Sequence, residues 1–301
     1  MREIIKMVIK QRPADIVTII FVLFLVLLTL IFYENLPKAG FLITLYSILF
    51  IFQVILINFK DNRRLIRIFY DLGFPVICVL LIFDSLERVV HYVNPEDIDP
   101  LLVRLDYLIF GNHPTVILER IMNPFLTDIL QIAYSTYYFI PVIFGIVLLR
   151  NGKREKFERS LFLILLCFYL SYLGYILFPA LGPRFAINHL QTVELQGLFI
   201  AEPIQNLLNQ IEGIKRDAFP SGHTAITLLV LYLAYKFEKK LFWIFLPFVL
   251  ALVFSTVYCR YHYVVDVIAG IGLTVITILF GEWYYEWWMI RGKANDRAKR
   301  N

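Results

Sequence analysis

The sequence has few cysteines and no repeats or linkers, and each shortage removes a class of protein. Its three cysteines, Cys78, Cys167 and Cys259, cannot close a disulfide framework. The first two lie inside apolar runs and carry no redox signal. No internal repeat, low-complexity tract or domain linker divides the chain, so 1–301 reads as one integral membrane domain. The first eighteen residues are basic and lead into an apolar stretch, as a signal peptide would. No small-residue cleavage site follows, so a retained first span is expected.

What the chain has in excess is hydrocarbon. Apolar residues make up 59% of it, against roughly 45–50% in ordinary globular chains. Several runs reach the roughly 20 residues needed to span a bilayer. Windowed hydropathy gives eight candidates: 16–33, 41–59, 70–86, 125–149, 161–178, 223–237, 241–259 and 264–285. The expected fold is an all-α polytopic helical bundle of about eight spans. Residues 1–123 would hold the first spans and an outer loop, 124–285 a catalytic core, and 286–301 a basic tail.

The net charge of +5 is modest, and its distribution is more informative than its size. Basic residues gather in alternate loops: Arg2, Lys6, Lys10 and Arg12; Lys60, Arg63, Arg64 and Arg67; Arg150, Lys153, Arg154, Lys156 and Arg159; Lys236, Lys239 and Lys240; and Arg291, Lys293, Arg297, Lys299 and Arg300. That pattern is a topology signal and not a nucleic-acid surface. It predicts both termini in the cytoplasm, in a bacterial or archaeal cytoplasmic membrane. Trp283, Tyr284, Tyr285, Trp287 and Trp288 would anchor the inner interface. The loops after the fifth span, before the sixth and after the seventh then share the extracytoplasmic side. Within the long third loop, 101–108 has apolar residues at helical spacing with charges between them. It is either a helix lying in the interface or an ordinary packed loop.

Two polar islands press against apolar runs on that outer side, and polar groups at such places tend to be functional. In Pro220-Ser221-Gly222-His223, Ser221 reads as the N-cap of a helix. A helix start offers N–H groups and a positive dipole end to a phosphate, with His223 placed as a proton donor. Taken alone, the stretch reads first as a capped helix whose histidine faces water. In the second island, His262 and Asp266 are four apart and share a helical face. A carboxylate bonded to one ring nitrogen leaves the other free to attack. The bland alternative is a polar pair satisfying itself inside the bundle. Arg184, after the fifth span, presents a guanidinium fork for a phosphate or acts as an interfacial anchor. Lys215, Arg216 and Asp217 read as a solvated charge cluster whose cations can supplement Arg184.

The order and spacing of these residues resemble the type-2 phosphatidic acid phosphatase superfamily, which includes lipid phosphate phosphatases and vanadium haloperoxidases. Pro220, Ser221, Gly222 and His223 match its P-S-G-H motif. Ser255, His262 and Asp266 match its S-R-x5-H-x3-D motif, with Thr256 where the arginine belongs. Of K-x6-R-P only Arg184 remains, preceded by Pro183, with Leu177 near the place of the lysine. Gly-Pro-Arg-Phe and Arg-x-His-Tyr-x-x-Asp look like the branch containing inositol phosphorylceramide synthase, and sphingomyelin synthases share His-Tyr-x-x-Asp.

The resemblance implies a six-helix core and transfer or hydrolysis of a lipid phosphate without metal or cofactor. His262 would be the nucleophile, passing through a phosphohistidine, with Asp266 orienting it and His223 as acid and base. Arg184, Ser221, Gly222, Arg260 and Lys215 would hold the phosphate, Arg260 replacing the charge missing at Thr256. The expected partners are membrane lipids, with water or a lipid hydroxyl as acceptor, and no nucleic acid. Three rivals remain: a serine intramembrane protease with Ser221 as nucleophile, a transporter with a His223–His262–Asp266 proton relay, and a zinc site on the same three residues.

Overall fold

The structure, a computed structural model, describes residues 11–211 and 215–297. Arg2, Lys6, Lys10, Lys299 and Arg300 lie outside these residues, as do positions 212–214 ahead of the sixth apolar run. Among the described residues there is no β-strand. The principal helices are α1 (Pro13–Ile31), α2 (Ala39–Phe59), α3 (Arg64–Leu86), α4 (Asp99–Phe110), α5 (Pro124–Ser135), α6 (Ile140–Arg150), α7 (Arg154–Leu177), α8 (Ala201–Ile211), α9 (Gly222–Phe237), α10 (Lys239–Tyr258) and α11 (Val264–Arg297).

Each of the eight apolar runs falls on a helix or a helix pair. Six are single helices long and apolar enough to cross a membrane. The fourth is a pair, Pro124–Tyr138 and Ile140–Arg150, bent by 50°. Pro141 stands in the first turn of α6; its ring cannot supply the N–H that would continue the helix through the bend. The sixth run, α9, is only 16 residues long, short of the usual span of about 20. It is also the helix that begins with the Pro-Ser-Gly-His motif.

The long helix α7 is the axis of the bundle and packs against α1, α3, α6, α9 and α11. Its window is the most buried of the spans, because its apolar residues run all round it and not along one stripe. At the basic end of the bundle, Arg12 pairs with Asp15 and with Asp71, each at 3.0 Å. Arg154 also pairs with Asp71, and Tyr70 donates to Asp15. These bonds tie α1, α3 and α7 together. At the opposite end the connectors gather over α7, α9 and α11. That end carries both polar islands.

The segment 101–108 belongs to α4 and has features of both expectations. Asp99, Leu102 and Asp106 are buried on one face, whereas Leu101, Tyr107, Leu108 and Ile109 are exposed on the other.

Candidate active site

Three connectors build the site. The first leaves α7 through Pro179–Gly182. Gly182 has φ +83°, and a Cβ there would lie 2.5 Å from the carbonyl oxygen of Tyr261, so only glycine lets the two connectors approach. The N–H of Arg184 donates to the carbonyl of Arg260 at 3.0 Å. The Arg184 guanidinium lies over the rings of Phe185 and Tyr261, at 4.7 and 5.0 Å.

The second connector leads into α9. Ser221 is its N-cap, with Oγ accepting from the N–H of Thr224 at 3.3 Å. The hydroxyl itself donates to Thr224 Oγ1 at 3.0 Å. The hydroxyl is therefore engaged at the helix start. The Ser221 N–H donates to the carbonyl of Asp266 at 3.1 Å, joining the two islands through their backbones. At Gly222 a Cβ would meet the Tyr175 hydroxyl at 2.3 Å. Glycine thus lets the helix start close on α7 without displacing the Tyr175 hydroxyl.

The third connector turns between α10 and α11. Tyr261 and His262 both donate their N–H groups to the carbonyl of Thr256, at 3.0 and 2.9 Å. This closes α10, and Arg260 takes the left-handed φ of +64° at the corner. Asp266 Oδ2 accepts from the N–H of Tyr263 at 2.8 Å.

His262 and His223 come together, with ring centroids 5.7 Å apart. Both are buried. His262 Nδ1 faces the carbonyl of Ala218 at 2.8 Å and Asp266 Oδ2 at 3.5 Å. A carbonyl only accepts, so Nδ1 carries the proton and Nε2 keeps its lone pair. Asp266, expected to orient this ring, is joined by the backbone of Ala218, which makes the shorter bond. Burial pushes His262 down from the ordinary 6.5 to about 4, and Arg184 adds to the fall. Asp217 and the Ala218 carbonyl oppose it. The ring is thus neutral near pH 7. His223 lies against Tyr134 and Tyr137, at centroid distances of 4.4 and 4.1 Å.

Of the expected phosphate ligands, Arg260 bonds elsewhere. The guanidinium of Arg260 bonds Glu119 at 2.8 Å and the carbonyl of Val193 at 2.6 Å. The left-handed turn that sets His262 swings Arg260 towards the outer loop, so it does not stand in for the arginine missing at Thr256. Lys215 is exposed, and its backbone N–H donates to Glu87 at 3.0 Å. Its neighbour Arg216 pairs with Asp97 at 2.7 Å. Of the cations named from sequence, Arg184 stands beside the histidines. Among the described residues no group of three His, Cys, Asp or Glu is placed to hold a metal ion, His223, His262 and Asp266 included.

Several residues at the site went unrecognised in the sequence. Asp217 read as solvated, yet it stands near Arg184 and His262; burial raises its carboxyl, and the Arg184 guanidinium foremost opposes the rise. Asp99 accepts from the N–H groups of Leu181 and Gly182 at 2.8 and 2.9 Å and from the Tyr263 hydroxyl at 2.8 Å. Asp106 accepts from the N–H groups of Val264 and Val265 at 3.0 and 2.9 Å, capping α11. One face of α4 thus sets both the Arg184 and the His262 connectors. Their spacing of seven, two helical turns, was the available signal. Farther out, Asp128 accepts from four successive N–H groups, those of Leu198, Phe199, Ile200 and Ala201.

Comparison with known proteins gives the family. The family model described as PAP2 superfamily matches residues 101–280. The chain therefore belongs to the PAP2 superfamily. It is 27% identical over 237 residues to the phosphoinositol dihydroceramide synthase of Bacteroides thetaiotaomicron, covering 68% of this chain and 73% of that one. It is 23% identical over 197 residues to a PA-phosphatase related-family protein of Dictyostelium discoideum, covering 58% of this chain and 36% of that one. It is 34% identical over 80 residues to the bacitracin transport permease protein BcrC of Bacillus licheniformis, covering 27% and 39%. The chain thus spans little more than a third of the Dictyostelium and Bacillus relatives and about three quarters of the Bacteroides one. No solved structure matches the chain.

Proposed function

We propose that this chain transfers a phosphorylated headgroup from a lipid donor through a phosphohistidine on His262, at the extracytoplasmic face. The observation that carries the reading is the histidine pair: a buried, neutral His262 with Nδ1 bonded to Ala218, 5.7 Å from the His223 ring. Arg184 and the first turn of α9 stand at the same end.

In the first half-reaction the Nε2 lone pair attacks phosphorus and a P–N bond forms. The bond from phosphorus to the leaving oxygen breaks, and His223 gives that oxygen its proton. Arg184 and the first turn of α9 hold the non-bridging oxygens as charge builds, work that requires no ion beyond these fixed dipoles and charges. Asp266 stabilises the charged imidazole. In the second half the acceptor hydroxyl attacks phosphorus, gives its proton to His223, and the P–N bond breaks. The Bacteroides relative's name points to a lipid hydroxyl as acceptor, whereas water would make the enzyme a phosphatase.

The test is phosphate-labelled lipid donor given to purified protein with and without a ceramide or lipid alcohol. Label should appear in a new lipid when the acceptor is present, and an acid-labile phosphoenzyme should form in wild type and not in His262→Ala. Normal turnover by His262→Ala overturns the mechanism. Activity unchanged by chelators is expected. For the orientation, the native cysteines are buried, so a cysteine replacing the exposed Phe199 gives a clean probe. It should react with a membrane-impermeant maleimide in intact cells.

A further inference from the structure

Asp217 takes no part in the phosphotransfer steps above, yet its place in the site is closely fixed. The next residue, Ala218, is pinned on both sides. Its N–H donates to the carbonyl of Ala180 at 3.1 Å, and its own carbonyl faces His262 Nδ1 at 2.8 Å. These bonds hold the second connector to the first and to the third, with Asp217 one step away from both. The Asp217 side chain borders the same cavity as His223. Around it stand Arg184 and His262 from the other two connectors, Glu87 just past α3, and Tyr172 from α7. Burial raises the carboxyl and Arg184 foremost opposes the rise, so the charged form belongs to the alkaline side.

A carboxylate works against a site that holds anions, and the positive charge set against it is small. Arg260 is spent on Glu119 and Val193. Leu177 and Thr256 carry no charge, Lys215 is exposed, and His262 is neutral near pH 7. Arg184 and an ionised Asp217 together sum to no net charge, which leaves the N–H groups at the start of α9 as the remaining attraction. Phosphate ligands differ in what they bring to such a place. A phosphodiester has a single ionisable oxygen, whereas a phosphomonoester carries about two charges near pH 7. Repulsion from a fixed carboxylate scales with the charge of the ligand, so it falls twice as heavily on the monoester.

We propose that Asp217 is a specificity-determining residue: its carboxylate lowers the affinity of the site for doubly charged phosphates and thereby favours phosphodiester lipids over phosphomonoesters as donors. This rests on the lipid-transferase reading above. Discrimination of this kind comes from a like charge set against the unwanted ligand, with no added contact to the wanted one. It differs in sign from a purely structural role. A carboxylate that only held Arg184 in place would strengthen phosphate binding, and its loss would weaken it.

The experiment measures binding of inorganic phosphate and of dimethyl phosphate to the purified protein at pH 8, from the rise in thermal unfolding midpoint with ligand concentration. Asp217→Asn keeps the shape of the side chain and removes its charge. It should bind phosphate about tenfold more tightly than wild type and dimethyl phosphate about threefold, because the repulsion relieved scales with charge. Adding Arg184→Ala should abolish the gain, which separates binding at the site from the general stabilising action of phosphate. Weaker or unchanged phosphate binding in Asp217→Asn, an equal gain for both anions, or a gain that survives Arg184→Ala overturns the proposal. Should Asp217→Asn fail to fold, wild type alone decides. Affinities for the two anions within about threefold of each other support the proposal, and a larger preference for phosphate overturns it, since uncompensated cations favour the higher charge. With lipid donors, the ratio of kcat/KM for a phosphatidate over a phosphodiester lipid should rise at least about threefold in Asp217→Asn, by the same scaling; an unchanged or lower ratio overturns the proposal. Anion binding is read without turnover, so failure of wild type to turn over any lipid counts against the lipid-transferase reading alone.

Discussion

The Nδ1 of His262 lies 2.8 Å from the carbonyl oxygen of Ala218, and Asp266 is the more distant partner at 3.5 Å. The backbone ahead of the Pro-Ser-Gly-His motif thus fixes the tautomer of a histidine on the next connector. In serine hydrolases, replacing the triad aspartate by asparagine costs about 10⁴-fold because the tautomer is lost. Here the carbonyl preserves it. Asp266→Asn is expected to lose only about 10- to 100-fold in kcat, the contribution of a charge to the transition state. Single-turnover phosphoenzyme formation checks this, and a loss equal to that of His262→Ala refutes it.

Arg184 and Arg260 should separate cleanly. Arg184→Ala removes a cation beside the histidines and should cost about 100-fold in kcat, as for one oxyanion donor. Arg260→Ala takes the cation from Glu119, which keeps only its hydrogen bonds from Thr192 and Val193, so a stability loss of about 1–3 kcal/mol is expected. Thermal unfolding in detergent reads the second effect. The pair Arg260→Met with Glu119→Leu should recover most of it.

Acid should act through His262. Its proton affinity falls on folding, from 6.5 to about 4. Between those values the unfolded chain binds a proton that the folded chain refuses, so stability falls as pH falls. The contribution is complete above 6.5 and lost on approaching 4. Asp217, raised in the folded state, works oppositely: it favours the fold on the acid side and ceases to do so as pH rises through its folded value. Phosphoenzyme formation should persist at pH 5, where an ordinary histidine is protonated, and fail near pH 4. Rapid-quench labelling across that range checks it, and an acid limb centred at 6.5 contradicts it.

Asp99 and Asp106 should act as positioning residues. Asp99→Ala strips the acceptor from three donors, Leu181, Gly182 and Tyr263, each worth about 1–3 kcal/mol if left unsatisfied. Asp106→Ala removes the cap of α11, at about 0.5–2 kcal/mol. Both should lower kcat more than they raise KM, because they displace Arg184 and His262 without touching substrate. Asp106→Asn keeps an acceptor and should restore most of the rate. If it rescues stability and leaves kcat depressed, α4 does not position the site.

Much of this was legible in the chain. The eight apolar runs predicted their helices because hydrocarbon burial dominates such segments, and Ser221 was identifiable as an N-cap from its neighbours alone. The two histidines could be paired through motif spacing. The aim of Arg260 was not readable, because one left-handed residue reverses a side chain and nothing in its letter announces φ. Tyr134 and Tyr137 were hidden in an apolar run, where an aromatic flanking a histidine looks like any packed aromatic. Asp99 and Asp106 were visible as charges on an amphipathic segment, but their partners are backbone N–H groups far along the chain, which carry no sequence signature. The bend between α5 and α6 was marked only by Pro141.

Asp128 grips the outer loop by four main-chain amides, from Leu198 to Ala201. Main-chain amides are common to every residue but proline, so that fastening does not depend on which side chains occupy 198–200. These positions, Phe199 foremost with 84% of its surface exposed, are at liberty to be rewritten. The surface at the rim can thus diverge while the histidines beneath it keep their places.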